Sequence, residues 1–129
     1  MQSLRKSIAW QKAMELSTCI YATTSSFPKE EIFGLTNQLR RASVSAASNI
    51  AEGQGRLTSG EFMHFLGMAR GSVLELQTQL ELAQRLHMGR ASELQTPQDQ
   101  ATELIKILNA ILSTLRNKPP TNHKSRTQP

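Results

Sequence analysis

Three groupings in this 129-residue chain carry side chains that could do chemistry. Glu61-Phe62-Met63-His64 has the Glu-x-x-His spacing by which helical bundles hold paired iron or manganese ions, because a step of three residues brings carboxylate and imidazole to one metal. Such a centre needs a second copy of the motif and glutamates from two further helices, and the sequence holds no second copy. Gly53-Gln54-Gly55-Arg56 has the glycines of a phosphate loop. It follows a helical pattern instead of a strand, however, and no Lys-Ser/Thr pair opens the helix after it. Cys19, the single cysteine, cannot form an internal disulfide and reads as a small packed side chain. His87 and His123 stand apart, and spacing yields no Ser-His-Asp or Cys-His grouping. The residues therefore predict no enzymatic activity, no metal and no cofactor.

Charge is the remaining feature. The net charge is +5, but Arg116, Lys118, Lys124 and Arg126 supply four positive charges in a stretch without an acid, so the rest of the chain carries only +1. Residues 117–129 contain two adjacent prolines and no large apolar side chain, which predicts a disordered basic tail after a single domain spanning 1–116. Candidate phosphate contacts are Arg5, Lys6, Lys12, Arg40, Arg41 and Arg56 in the body, with Lys118, Lys124 and Arg126 in the tail. Each copy alone would bind RNA or DNA weakly, whereas repetition around an oligomer would multiply the phosphates engaged. The alternative is a scaffold whose partner is another protein. No run of 18 apolar residues and no signal-type start occur, so the expectation is a cytoplasmic protein without membrane contact.

The elements that position these residues read as four helices. Ile8, Trp10, Ala13, Met14, Leu16, Ser17, Ile20 and Tyr21 recur at steps suited to a helix over about 4–24. Pro28, Glu30 and Glu31 are suited to open a second helix, which continues to Glu52, with Gly53 as a left-handed end. Thr58 and Glu61 form a capping box for a third helix, whose seam is Phe62, Leu66, Ala69, Val73, Leu76, Leu80 and Ala83. Thr96-Pro97 suits the start of a fourth, carrying Ala101, Leu104, Ile105, Leu108, Ile111, Leu112 and Leu115. Short connections between such helices predict an all-α, antiparallel, up-down-up-down four-helix bundle.

The second helix has two stripes. At about 100° per residue, Leu35, Leu39, Ala42, Ala46 and Ile50 face one way, toward the bundle core. Val44, Ala47 and Ala51 form a second stripe roughly opposite and point outward, where an isolated bundle would place long polar residues. Gly67 and Gly71 lie away from the third helix's seam, and each costs about 1 kcal/mol relative to Ala. Small side chains allow a second backbone to approach, so these five residues predict a homo-oligomer interface. At the corner between helices two and three, Glu52 sits unfavourably at a helix C-terminus and needs compensation. Asn49, Glu52, Gly53, Arg56, Thr58 and Glu61 are expected to fix the angle there, a structural role.

The run from Trp10 to Leu86 resembles the four-helix bundle family encoded in intervening sequences of bacterial large-subunit ribosomal RNA genes. The resemblance is carried by WQKAMEL (10–16), FP (27–28), GLTNQLRRASVS (34–45), SNIAEGQGR (48–56), EFMHFL (61–66), GSVLEL (71–76) and TQLELAQRL (78–86). It implies a left-handed antiparallel bundle that assembles as a ring, commonly a homopentamer. It also implies kinship with the accessory proteins of diversity-generating retroelements, basic pentamers that bind nucleic acid and a reverse transcriptase. No catalytic residue comes with it. Where the family often has Ile-Pro, this chain has Ala46-Ala47, so a kink expected in the second helix is absent.

Overall fold

The structure, a computed structural model, describes residues 2–118. Four long helices make up most of it: α1 (Ile8–Thr24), α2 (Leu35–Gln54), α3 (Ser59–Arg85) and α4 (Ala91–Arg116). One helical turn, Gln2–Arg5, precedes α1, and a 3-10 turn, Lys29–Glu31, precedes α2. No strand forms among the described residues, and no helix there is long and apolar enough to cross a membrane. α2 packs on α1 and α3, and α4 packs on α3 and α1, so the four helices enclose one core.

Both predicted core stripes are buried throughout: Leu35, Leu39, Ala42, Ala46 and Ile50 on α2, and Phe62 through Ala83 at the seam positions of α3. Leu16, Ile20, Leu104 and Leu108 complete the interior, and each fully buried Leu or Ile contributes about 1.5–3 kcal/mol over its exposed state. The many serines and alanines of α2 let it lie close to both neighbours. The Ser43 hydroxyl, fully buried, donates to the Arg40 carbonyl and lies 3.1 Å from Ser17 Oγ of α1. On the other flank, Ser45 Oγ is 3.0 Å from Ser72 Oγ of α3. Buried hydroxyls paired in this way avoid the desolvation penalty of an unmet polar group.

Helix ends differ from the sequence expectation at several points, each for a local reason. α1 starts at Ile8 because Ser7 caps it, its hydroxyl accepting the Trp10 amide at 3.2 Å. Glu30 and Glu31 do not open α2 directly. They form the 3-10 turn, and Glu31 reaches forward so that its carboxylate accepts the Leu35 amide at 3.0 Å. α2 then runs past Glu52 to Gln54, with Gly53 helical and buried. Gly53 is needed for space and not for a left-handed turn: a Cβ there would lie 3.0 Å from Phe62 Cδ1 and 3.1 Å from Phe65 Cβ.

α3 ends on His87, whose φ of 56° is the positive value that glycine usually supplies. The His87 amide donates to the Gln84 carbonyl and the Met88 amide to the Ala83 carbonyl, the paired bonds of a Schellman end. α4 starts at Ala91, well before Thr96, and carries Pro97 inside it. Leu94 and Pro97 are both buried, so packing offsets the backbone bond that proline removes.

Candidate nucleic-acid interface

Steps of three and four residues place Asn37, Arg41, Val44, Ser48, Ala51 and Gly55 on the side of α2 opposite its core stripe. The N-terminal half of that side borders an open hollow of about 620 Å³ lined by Tyr21, Ile32, Phe33, Asn37, Arg40, Arg41, Val44 and Ser45. Its apolar wall is unusual for a surface. Phe33 is 90% exposed, Ile32 49%, Tyr21 46% and Val44 44%.

Two arginines supply the polar side. Arg40 Nε donates to Thr24 Oγ1 at 2.9 Å, and its guanidinium lies over the Tyr21 ring, 4.7 Å from the centroid. The arginine is thus anchored by α1 through one nitrogen and the ring face. Arg41, one residue on, is exposed and lines both this hollow and a neighbouring one of about 310 Å³ formed with Gln38, Ala42, Ser45, Glu75 and Gln79. Gln79 is buried and its Oε1 has no hydrogen-bond partner, while its Nε2 donates to Gln38 Oε1 at 3.5 Å.

The other candidate cations are differently placed. Lys12 Nζ lies 3.1 Å from Glu103 of α4 and 3.8 Å from Glu15. The hydrogen bond and charge of Glu103, then the charge of Glu15, hold its pKa above the ordinary 10.5. Arg56 Nη2 donates to Glu52 Oε2 at 2.9 Å, and its guanidinium covers the Phe65 ring at 4.4 Å. Arg85 pairs with Glu81 and Arg90 with Glu93. Arg40 and Arg41 take part in no ion pair among the described residues. Arg5 and Lys6 are exposed ahead of α1, and Lys118 is exposed just past α4. Lys124 and Arg126 lie outside the described residues.

At the corner, Glu52 and Arg56 pair with each other, and Thr58 caps α3 by accepting the Glu61 amide at 3.2 Å. The capping box is not reciprocal: the Glu61 carboxylate accepts the Thr58 hydroxyl at 3.1 Å. Asn49 belongs elsewhere. Its amide donates to the Ser45 carbonyl at 2.9 Å and to Ser45 Oγ, tying it to the Ser45–Ser72 contact.

Of the three α2 residues expected to point outward, Val44 and Ala51 lie opposite the core stripe and Ala47 does not. Ala47 is only 7% exposed, because it shares the flank of α2 on which Ser43 meets α1. Val44 faces the first hollow, and half-buried Ala51 borders another with Ser48, Glu52, Gly55 and Arg56. Gly67 and Gly71 are on the outward side of α3, where an added Cβ would meet nothing within 4 Å. Exposed Met68, Leu74 and Leu82 accompany them.

His64 is exposed, with its ring edge-on to Phe65 at 5.3 Å, and Glu61 is engaged with Thr58. Among the described residues no three His, Cys, Asp or Glu side chains gather as metal ligands would.

Sequence reasoning found Arg40 and Arg41 but missed Tyr21, Ile32 and Phe33 beside them. The available signal was Ile32-Phe33 itself, two large apolar residues between Pro28 and Gly34 that fit neither helical pattern.

No curated protein matches the chain. A crystal structure of a protein with unknown function from the S23 ribosomal protein family of Bacteroides thetaiotaomicron VPI-5482 is similar to it, with a TM-score of 0.74 at 22% identity over 81% of this chain and 98% of that one. At that identity the likeness speaks for the fold. Residues 5–110 match the model of the 23S rRNA-intervening sequence proteins, and the chain belongs to that family.

Proposed function

We propose that this protein is a non-enzymatic, cytoplasmic nucleic-acid-binding bundle that works as a homo-oligomer, with Arg40 and Arg41 as the centre of each copy's binding surface. One observation carries the reading. Among the described residues these adjacent arginines at the rim of an open hollow have no carboxylate partner, whereas Lys12 and Arg56 are neutralised within the fold. Two unpaired charges hold few phosphates, so affinity comes from repetition around an assembly.

The outward side of α3, with Gly67, Gly71 and exposed Met68, Leu74 and Leu82, is the surface through which copies meet. An antiparallel, left-handed bundle closing as a ring of five accords with the family resemblance and with kinship to the retroelement accessory proteins.

The test is a titration of RNA and DNA affinity against salt on protein whose mass in solution has been measured. Counterion release predicts that log K falls by about 0.9 per neutralised duplex phosphate, or about 0.7 on single strands, for each tenfold rise in salt. A second reading, a scaffold for another protein, is favoured by exposed Ile32 and Phe33 ahead of α2. Absence of binding at low salt with an intact oligomer would select it.

A further inference from the structure

We propose that the hollow around Phe33 binds single-stranded nucleic acid, with an unpaired base stacked on the Phe33 ring and the adjoining phosphates held by Arg40 and Arg41. This rests on the nucleic-acid reading above and names the substrate class and the residues of its site. The argument begins with Phe33. A phenyl ring 90% exposed at the edge of a hollow gains nothing from its own fold, and burying it needs a flat apolar partner. The partner must also be anionic, because the walls hold two unpaired guanidinium groups and no carboxylate.

A nucleotide strand meets both demands, since every base has a π-face and every linkage a negative charge. A duplex does not, because its bases are already stacked on one another and out of reach of a surface ring. The arginines are suitably arranged. Arg40 is preorganised by Thr24 and the Tyr21 ring, while Arg41 is exposed between two hollows.

Anisotropy with a labelled short oligonucleotide, as RNA, as DNA and annealed to its complement, tests the assignment on the full-length chain. Both single strands should bind more tightly than the duplex, and a preference for RNA over DNA would assign the site to RNA. Phe33→Ala should weaken single-strand binding about tenfold and leave duplex binding unchanged. Phe33→Trp should retain it, and Arg41→Gln should lower the salt slope by about 0.7 for each copy engaged. Equal affinity for duplex and single strand, with Phe33→Ala silent, would overturn the proposal while sparing the broader reading. A changed solution mass in Phe33→Ala would assign the hollow to a contact between copies and overturn it too. If no nucleic acid binds at low salt, both readings fail together.

Discussion

The two connections that flank α2 use similar residues to opposite ends. At its C-terminus, Gly53 lets Phe62 and Phe65 of α3 come within van der Waals contact, Arg56 covers the Phe65 ring, and Glu52 neutralises Arg56. At its N-terminus, Phe27 is buried, but Phe33 projects into solvent beside two arginines that take part in no ion pair among the described residues. An aromatic ring covered by a paired cation is part of the framework. An aromatic ring left bare beside unpaired cations is available to something outside the chain. The first connection therefore sets the fold and the second leaves a surface for use.

The largest expected effect comes from filling the space at Gly53. Gly53→Val would force side-chain atoms against the Phe62 ring and the Phe65 Cβ, and overpacking of this kind costs about 1–3 kcal/mol. Urea denaturation should show a lower midpoint at an unchanged slope, with nucleic-acid affinity per folded molecule intact. If Val is tolerated without loss, the corner is not the tight joint inferred here. Next in size is Thr58→Ala, which removes the acceptor for the Glu61 amide and should cost about 1 kcal/mol, with Thr58→Ser restoring most of it. Stability measured by the same denaturation checks both.

Glu31→Ala carries the comparison to the other connection. Its carboxylate serves the Leu35 amide at the positive end of α2, from a position before the helix, and its loss should cost about 0.5–1 kcal/mol. The linker thus holds α2 through the Glu31 carboxylate and the buried Phe27 ring, while Phe33 between them and the helix stays exposed. A larger loss than at Thr58 would mean that the linker, and not the corner, holds α2 in place.

How much of this was legible in the sequence follows from the range of each interaction. The core stripes of α2 and α3 were readable because burial repeats with the helical period, so Leu39 and Leu66 announce themselves through their neighbours. The Thr58 cap was readable because donor and acceptor are three residues apart. The role of Gly53 was misread, because the reason for a glycine there lies in Phe62 and Phe65 on another helix. Ala47 was misplaced for a similar reason: α1, far away in sequence, covers that flank of α2. Pro97 marked a plausible helix start that burial of Leu94 overrode. The hollow was the hardest feature, since Tyr21, Phe33 and Arg40 come from a helix, a linker and a second helix, and no spacing rule links them.

The smallest expected effect on the fold is also the sharpest test of the comparison. Phe33 is almost wholly exposed, so Phe33→Ala removes little buried apolar area and should change unfolding stability by no more than about 0.5 kcal/mol. Native folds usually cover a large aromatic ring, and a neutral outcome would mean that this one is left uncovered without benefit to the isolated chain. The check is thermal and urea unfolding at a dilution where the measured mass is that of a single chain, beside the same measurement at high concentration. Equal stability at both concentrations leaves Phe33 free for a ligand. A loss confined to the concentrated sample places the ring between copies, and a loss in the dilute sample returns it to the framework, making the two connections alike after all.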